Sequence, residues 1–249
     1  MGFCCEEKQG WYGLVFELPE EFHKPIRLRD LFGKTPRVSL EIRYSLAYTV
    51  ALALGGLHSV HWVHKGIRSE NILFFTDTAG SAHVRHHEPW LFGFENTRED
   101  SEASSKQADY RLGRRIYFPP SRWGTPSEKF SYRHDVYALV SPHTKGTRYL
   151  EWTMLTSLQG VLLLEIGLWT YALQLDKSGF QNISTPEEAQ TLLMGRAGPD
   201  ISHAMGSEYS TVVLACLSGK GGEGQDDKLD FQRDVLDVLE GLCKCRALN

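Results

Sequence analysis

Several things are missing from this sequence of 249 residues, and each absence narrows what the chain can be. It has no apolar stretch of the roughly 20 residues that a membrane-spanning helix needs. The best candidate, GVLLLEIGLW, is short and carries Glu165, so no membrane span is expected. It has no dense Lys/Arg run, and its formal net charge is -4, so nucleic-acid binding is not expected. Its five cysteines are odd in number and do not outline a disulfide framework. A reducing, cytoplasmic setting is the simpler expectation. The opening MGFCCEEKQG turns charged at once, unlike a secretory signal. Gly2 with Cys4 and Cys5 hints at acylation, but the pattern wants Ser or Thr at position 6, where Glu6 stands.

What is present reads as a few short strands followed by helices. WYGLVFELPE predicts a strand ended by Pro19, and RLRDLFG a short turn closed by Gly33. Ser39 is a plausible N-cap for a long helix. Within it Leu46, Ala47, Val50, Ala51, Leu54 and Leu57 recur at three- and four-residue steps, with Gly55 and Gly56 weakening its end. NILFF predicts a strand, SAHVRHHEPWLFGF a strand, turn and strand, and residues 96–116 a polar loop. In TPEEAQTLLM, Thr185 and Glu188 form a capping box, with Pro186 at the first helical position. YSTVVLACL is expected to be helical. KLDFQRDVLDVLEGLCKC is expected to be an amphipathic terminal helix, with Phe231, Val235, Leu239 and Leu242 on one face.

One stretch carries an outline of chemistry. HKGIRSEN, from His64 to Asn71, follows the spacing H-R-D-L-x-x-x-N and runs into a strand. Downstream come Leu91-Phe92-Gly93, then YFPPS and HDVYAL. Taken in order, with YGLVFELPE and the long helix ahead of them, these motifs resemble the C-terminal lobe of a protein kinase. The resemblance covers nearly the whole chain and is nearest to a group of degenerate fungal kinase-like proteins, often found behind a HeLo-type domain. It implies an α+β, mainly α-helical fold as a single domain over 1–249. Residues 1–20 would be a remnant of the small lobe and hinge, and residues 21–249 the helical large lobe, so the small lobe is truncated.

The same register shows what the chain has given up. Gly66 stands at the catalytic carboxylate and has no side chain to accept a proton. Leu91 stands at the metal-binding Asp of D-F-G, and an alkyl group cannot ligate Mg²⁺. Asn71, the second metal ligand in the family, is kept; hydrogen bonding to the loop backbone is its other role, and the one preferred here. Arg68 stands where kinases place a phosphate-facing Lys. Its forked donors suit an anion, and a solvated surface arginine fits as well. His64 and Asp135 match residues that hold the loop in shape. Ser121 replaces the Glu of A-P-E. Before Trp11 there is neither a G-x-G-x-x-G loop nor a V-A-I-K-type strand. Glu95, four residues after Leu91, is a poor replacement ligand.

The resemblance therefore implies a catalytically inactive pseudokinase that acts as a protein-binding or signalling scaffold, with no catalytic residues, no metal and no cofactor. One alternative is a residual protein kinase or ATP-binding protein whose small lobe is missing from this chain, with Asn71 serving ATP and Mg²⁺. The other is a non-functional gene fragment. The triplets His58, His61, His64 and His83, His86, His87 have metal-like spacing, but kinase-type packing and a turn are the plainer readings. Cys243 and Cys245 form a lone C-x-C, and Ser101, Ser104 and Ser105 belong to an acidic, solvated loop. Finally, HDVYAL and GVLLLEIGLW join into one buried helix if residues 140–159 are removed. Val140-Ser141 can be encoded by a splice-donor sequence and Gln159 can end in CAG, so this segment is read as an insertion or a retained intron.

Overall fold

A computed structural model describes residues 2–6, 11–15, 17–34, 36–77, 83–99, 112–118, 123, 158–218 and 232–247. The fold is α+β and mainly helical. Strands β1 (Gly2–Glu6) and β2 (Trp11–Val15) form an antiparallel hairpin; the sequence analysis expected only the second. β3 (Pro25–Arg27) leads directly into the short helix α1 (Leu28–Leu31), closed by Gly33 at φ 74°. The long helix α2 (Leu40–Ser59) starts at Ser39, whose side chain accepts the Ile42 N–H, and it runs on through Gly55 and Gly56.

Two small antiparallel sheets follow. β4 (Trp62–Val63) pairs with β7 (Arg98–Glu99). β5 (Ile72–Phe75) lies between β3 and β6 (Trp90–Leu91), with Ile72 opposite Leu91. Residues 96–116, expected as a polar loop, contain β7 and a helical turn, α3 (Leu112–Arg115). Arg98 is buried there, which a composition-based loop assignment does not foresee.

The helical body is organised by α4 (Leu158–Leu168). Every residue from 160 to 169 is buried, as expected for a helix that is apolar on all sides. Leu158 and Gln159, the last two residues of the segment read as an insertion, already belong to this helix; residues 140–157 and HDVYAL lie outside the described residues. α2, α8 (Pro199–Met205) and α9 (Ser207–Ser218) pack against α4. A Cβ on Gly167 would come within 2.5 Å of Ile201 Cδ1, so only glycine allows α8 this close. Buried Arg43 on α2 donates from Nη1 to the Gly167 carbonyl at 2.5 Å, placing a cation at the C-terminus of α4 where the helix dipole favours it. Tyr209 Oη donates to the Leu163 carbonyl at 2.9 Å.

The short helices α5 (Ala172–Leu175) and α6 (Lys177–Gln181) follow α4. α7 (Pro186–Ala197) then opens on the full capping box of Thr185 and Glu188. The chain ends in a π-helical turn, Gln232–Leu236, continuing as α10 (Asp237–Ala247). Val235 and Leu239 are buried as expected, while Phe231 lies outside the described residues. Among the described residues no helix is long and apolar enough to cross a membrane.

The Thr185 cap predicts a simple outcome. Thr185→Ala removes the acceptor for the Glu188 N–H and should lower the unfolding free energy by about 1 kcal/mol, read by urea titration with unchanged m-value.

Candidate functional site

The HKGIRSEN stretch leaves β4 and forms a tight loop held by its own side chains. Lys65 adopts φ 62°, a left-handed conformation that a non-glycine residue enters only at some cost. This turns the Gly66 N–H back onto His64 Nδ1 at 3.2 Å, so Nδ1 is the acceptor and the ring proton sits on Nε2. His64 is fully buried, with its ring 4.7 Å from that of Phe94. Thr97 Oγ1 donates to the His64 carbonyl at 3.3 Å. The loop closes as a 3₁₀ turn, Ser69–Asn71, whose last N–H reaches the Arg68 carbonyl at 2.9 Å.

Asn71 joins the two halves of this region. Its Nδ2 donates to the Gly66 carbonyl at 2.7 Å, and its own carbonyl accepts the Phe92 N–H at 2.8 Å. Gly93 lies against it at φ 88°, and a Cβ there would sit 2.2 Å from Asn71 Nδ2. The structure thus brings His64, Gly66, Asn71 and Gly93 together. Leu91 is half-buried in β6, packed on the core beside Ile72. Phe92 serves through its backbone. Asp135 lies outside the described residues, as do Ser101, Ser104, Ser105 and Ser121.

Beside the loop is an open groove of about 550 Å³. Arg27, Arg29, Arg68 and Arg114 line it, with Glu70, Asn71 and Tyr171. Glu70 is in ion-pair contact with Arg29 and lies 3.3 Å from Arg68 Nε. The Arg29 guanidinium stacks on the Tyr171 ring, 4.2 Å from its centroid. The Arg68 side chain is only 20% exposed, so it is not a freely solvated surface arginine. Burial, and after it the neighbouring Arg114 charge, push its pKa down from the ordinary arginine value.

Underneath lies a polar cluster that the sequence reading missed. Glu165, on the apolar helix α4, has no exposure to solvent. The Tyr117 hydroxyl is 2.8 Å from both of its oxygens, and the Ala172 N–H donates to Oε1 at 2.9 Å. Ser69, from the loop, lies 3.0 Å from the same Tyr117 hydroxyl, which links it to Glu165. Burial pushes the Glu165 pKa up to about 8, from an ordinary value of 4.5. Burial, and next the Glu165 charge, raise that of Tyr117 well above its usual range. The one signal available in advance was a carboxylate in the middle of an apolar run, which demands buried partners. Which residues those are, no local pattern tells.

The histidine triplets hold no metal-like cluster among the described residues. His58 lies in the last turn of α2, His61 takes φ 61°, and His83 pairs with Asp77 at 2.5 Å. Glu95 is exposed on the 3₁₀ turn Phe94–Asn96. Cys243 and Cys245 lie on the terminal helix, as expected.

Two outcomes follow from this geometry. Gly93→Ala adds a methyl group into Asn71 at a left-handed φ, and should cost about 2–3 kcal/mol by urea denaturation. Glu165 is bound to its proton more tightly in the folded chain than in the unfolded one. Its contribution is therefore fully present below about pH 4.5 and is lost as pH rises through about 8. Glu165→Gln keeps the shape without the charge, so its melting temperature should fall less than that of the wild type between about pH 5 and pH 8. An identical fall in both proteins would remove Glu165 as the source.

Comparison with known proteins returns no matching family model and no matching curated protein, and the functional reading rests on the chain's own residues.

Proposed function

We propose that this chain is a catalytically inactive protein-kinase-like domain that acts by binding a protein partner, as a pseudokinase scaffold. The single observation that carries the reading is that neither Gly66 nor Leu91 offers a carboxylate to the loop that Asn71 closes. Phosphoryl transfer needs metal ions at the phosphates and a carboxylate that takes or orients the proton of the attacking hydroxyl. Here the amide of Asn71 donates to the carbonyl of Gly66, the position where that carboxylate would stand. That bond uses Nδ2 and closes the loop on its own backbone, while the amide oxygen of Asn71 has no carboxylate beside it at Gly66 or Leu91 to complete a metal site.

The surroundings support this. Leu91 offers an alkyl group packed on the core. The carboxylate of Glu70, within the loop itself, is engaged by Arg29 and Arg68. The groove beside the loop is lined by guanidinium groups, which repel a divalent cation and attract an anion. The loop retains its form through His64 and Asn71, which is of use to a protein that presents a surface.

The test is a titration with ATP and Mg²⁺ followed by thermal unfolding, together with a labelled-phosphate transfer assay. The melting temperature should stay constant and no label should move. A rise in melting temperature with ligand concentration, accompanied by transfer that Asn71→Ala abolishes, would make the chain a kinase and end the scaffold reading.

A further inference from the structure

The arginine groove has a chemistry of its own. Arg27 and Arg29 flank Leu28, which is completely buried, so both side chains leave the core on the groove side. Arg68 comes from the loop and Arg114 from α3, on other walls. Among the described lining residues a single carboxylate, Glu70, faces these four guanidiniums. The whole chain carries a net charge of -4, so this concentration of positive charge is local and runs against the overall balance. Glu70 also draws Arg29 and Arg68 to itself, and Tyr171 supports Arg29 from below. Two of the forks are therefore held in place before any ligand arrives, which lowers the ordering cost of binding. Arg68 is partly buried next to Arg114, and the repulsion between them is a cost that an incoming anion would relieve.

We propose that this groove is a binding site for a phosphorylated segment of a partner protein. The proposal rests on the partner-binding reading above and names the chemistry of that partner. Planar guanidinium forks match the oxygens of a phosphate monoester, and arginine clusters are a general solution for capturing phosphorylated peptides. The volume of about 550 Å³ is enough for a phosphorylated side chain with its flanking backbone. A nucleotide fits less well. Among the described lining residues Leu173 is the only aliphatic side chain, and Arg29 already covers one face of the Tyr171 ring, which leaves little apolar surface for a base. Nucleic acid needs a track of phosphate contacts along an extended basic face, and the four arginines of this groove form a compact cluster on a chain of net charge -4.

The experiment uses the full chain and a degenerate pool of short peptides with phosphoserine at the central position. The same pool with serine, ATP, and a single-stranded oligonucleotide serve as comparison probes. Binding is followed by fluorescence anisotropy at low and at physiological salt. The phosphorylated pool should bind at least about tenfold more tightly than the serine pool and weaken as salt rises. Arg27→Glu and Arg114→Glu, each checked for an unchanged melting temperature, should each remove most of that preference. Equal binding of the two peptide pools, a preference untouched by both charge reversals, or tighter binding of ATP or the oligonucleotide would overturn the proposal. Phosphate transfer by the chain would instead overturn the scaffold reading. A partner bound elsewhere without phosphate would leave that reading standing and remove only the groove's role.

Discussion

A carboxyl group without access to water has to be satisfied by the protein around it, and Glu165 imposes that constraint here. It sits on a helix buried throughout residues 160–168, where an unsatisfied ionised group would cost several kcal/mol. Its partners come from separate stretches of chain: Tyr117 after α3, the Ala172 N–H at the start of α5, and, through Tyr117, Ser69 in the loop. Because all of them must converge, the loop is seated on the helical body through Ser69 and cannot slide over it. The groove follows from this seating, since Arg68 and Glu70 flank Ser69 in sequence and line the cavity directly above. The raised pKa keeps the carboxyl group largely neutral in acid and neutral solution, which is how so polar a cluster is tolerated inside an apolar core.

Above that foundation the loop is held by economical means. One asparagine bonds the Gly66 carbonyl through its side chain and the Phe92 amide through its backbone. One glycine, Gly93, leaves the space the asparagine fills. The Asn71 Nδ2 bond stiffens the loop, and Gly66 itself contributes only backbone. The loop is therefore held firmly at a place where Gly66 and Leu91 offer no carboxylate. Among the described residues, four guanidinium groups line the groove beside it, and the proposed anionic partner rests on them.

Much of the scaffold was legible from local rules. The Thr185–Glu188 capping box and the Ser39 cap are short-range hydrogen-bond patterns, and both occur where the sequence places them. The buried face of α2 follows from helical periodicity, because residues three and four apart share one side whatever lies opposite. Other features were not legible. The strand β1 depends on β2 for its hydrogen bonds, and MGFCCEEKQG alone shows no alternation. The polar segment 96–116 hides a strand whose partner, β4, lies far back in the chain. Gly55 and Gly56 looked like a weak helix end, but packing carries α2 past them to Ser59.

The candidate site divides along the same line. From sequence alone came the loop, its missing carboxylates at Gly66 and Leu91, and the likeness of the ordered motifs to a kinase lobe, because side-chain identity at fixed spacing settles which groups exist. The tertiary structure decided what those groups do to each other. It turned the Asn71 amide onto Gly66, gathered Arg27 and Arg29 with Arg68 and Arg114 around one groove, and surrounded Glu165 with Tyr117, Ser69 and the Ala172 amide. Apart from the Asn71–Gly66 and Ala172–Glu165 bonds, these contacts join residues many tens of positions apart, and their energies depend on distance and burial. A linear pattern carries neither, so only the folded chain could supply them.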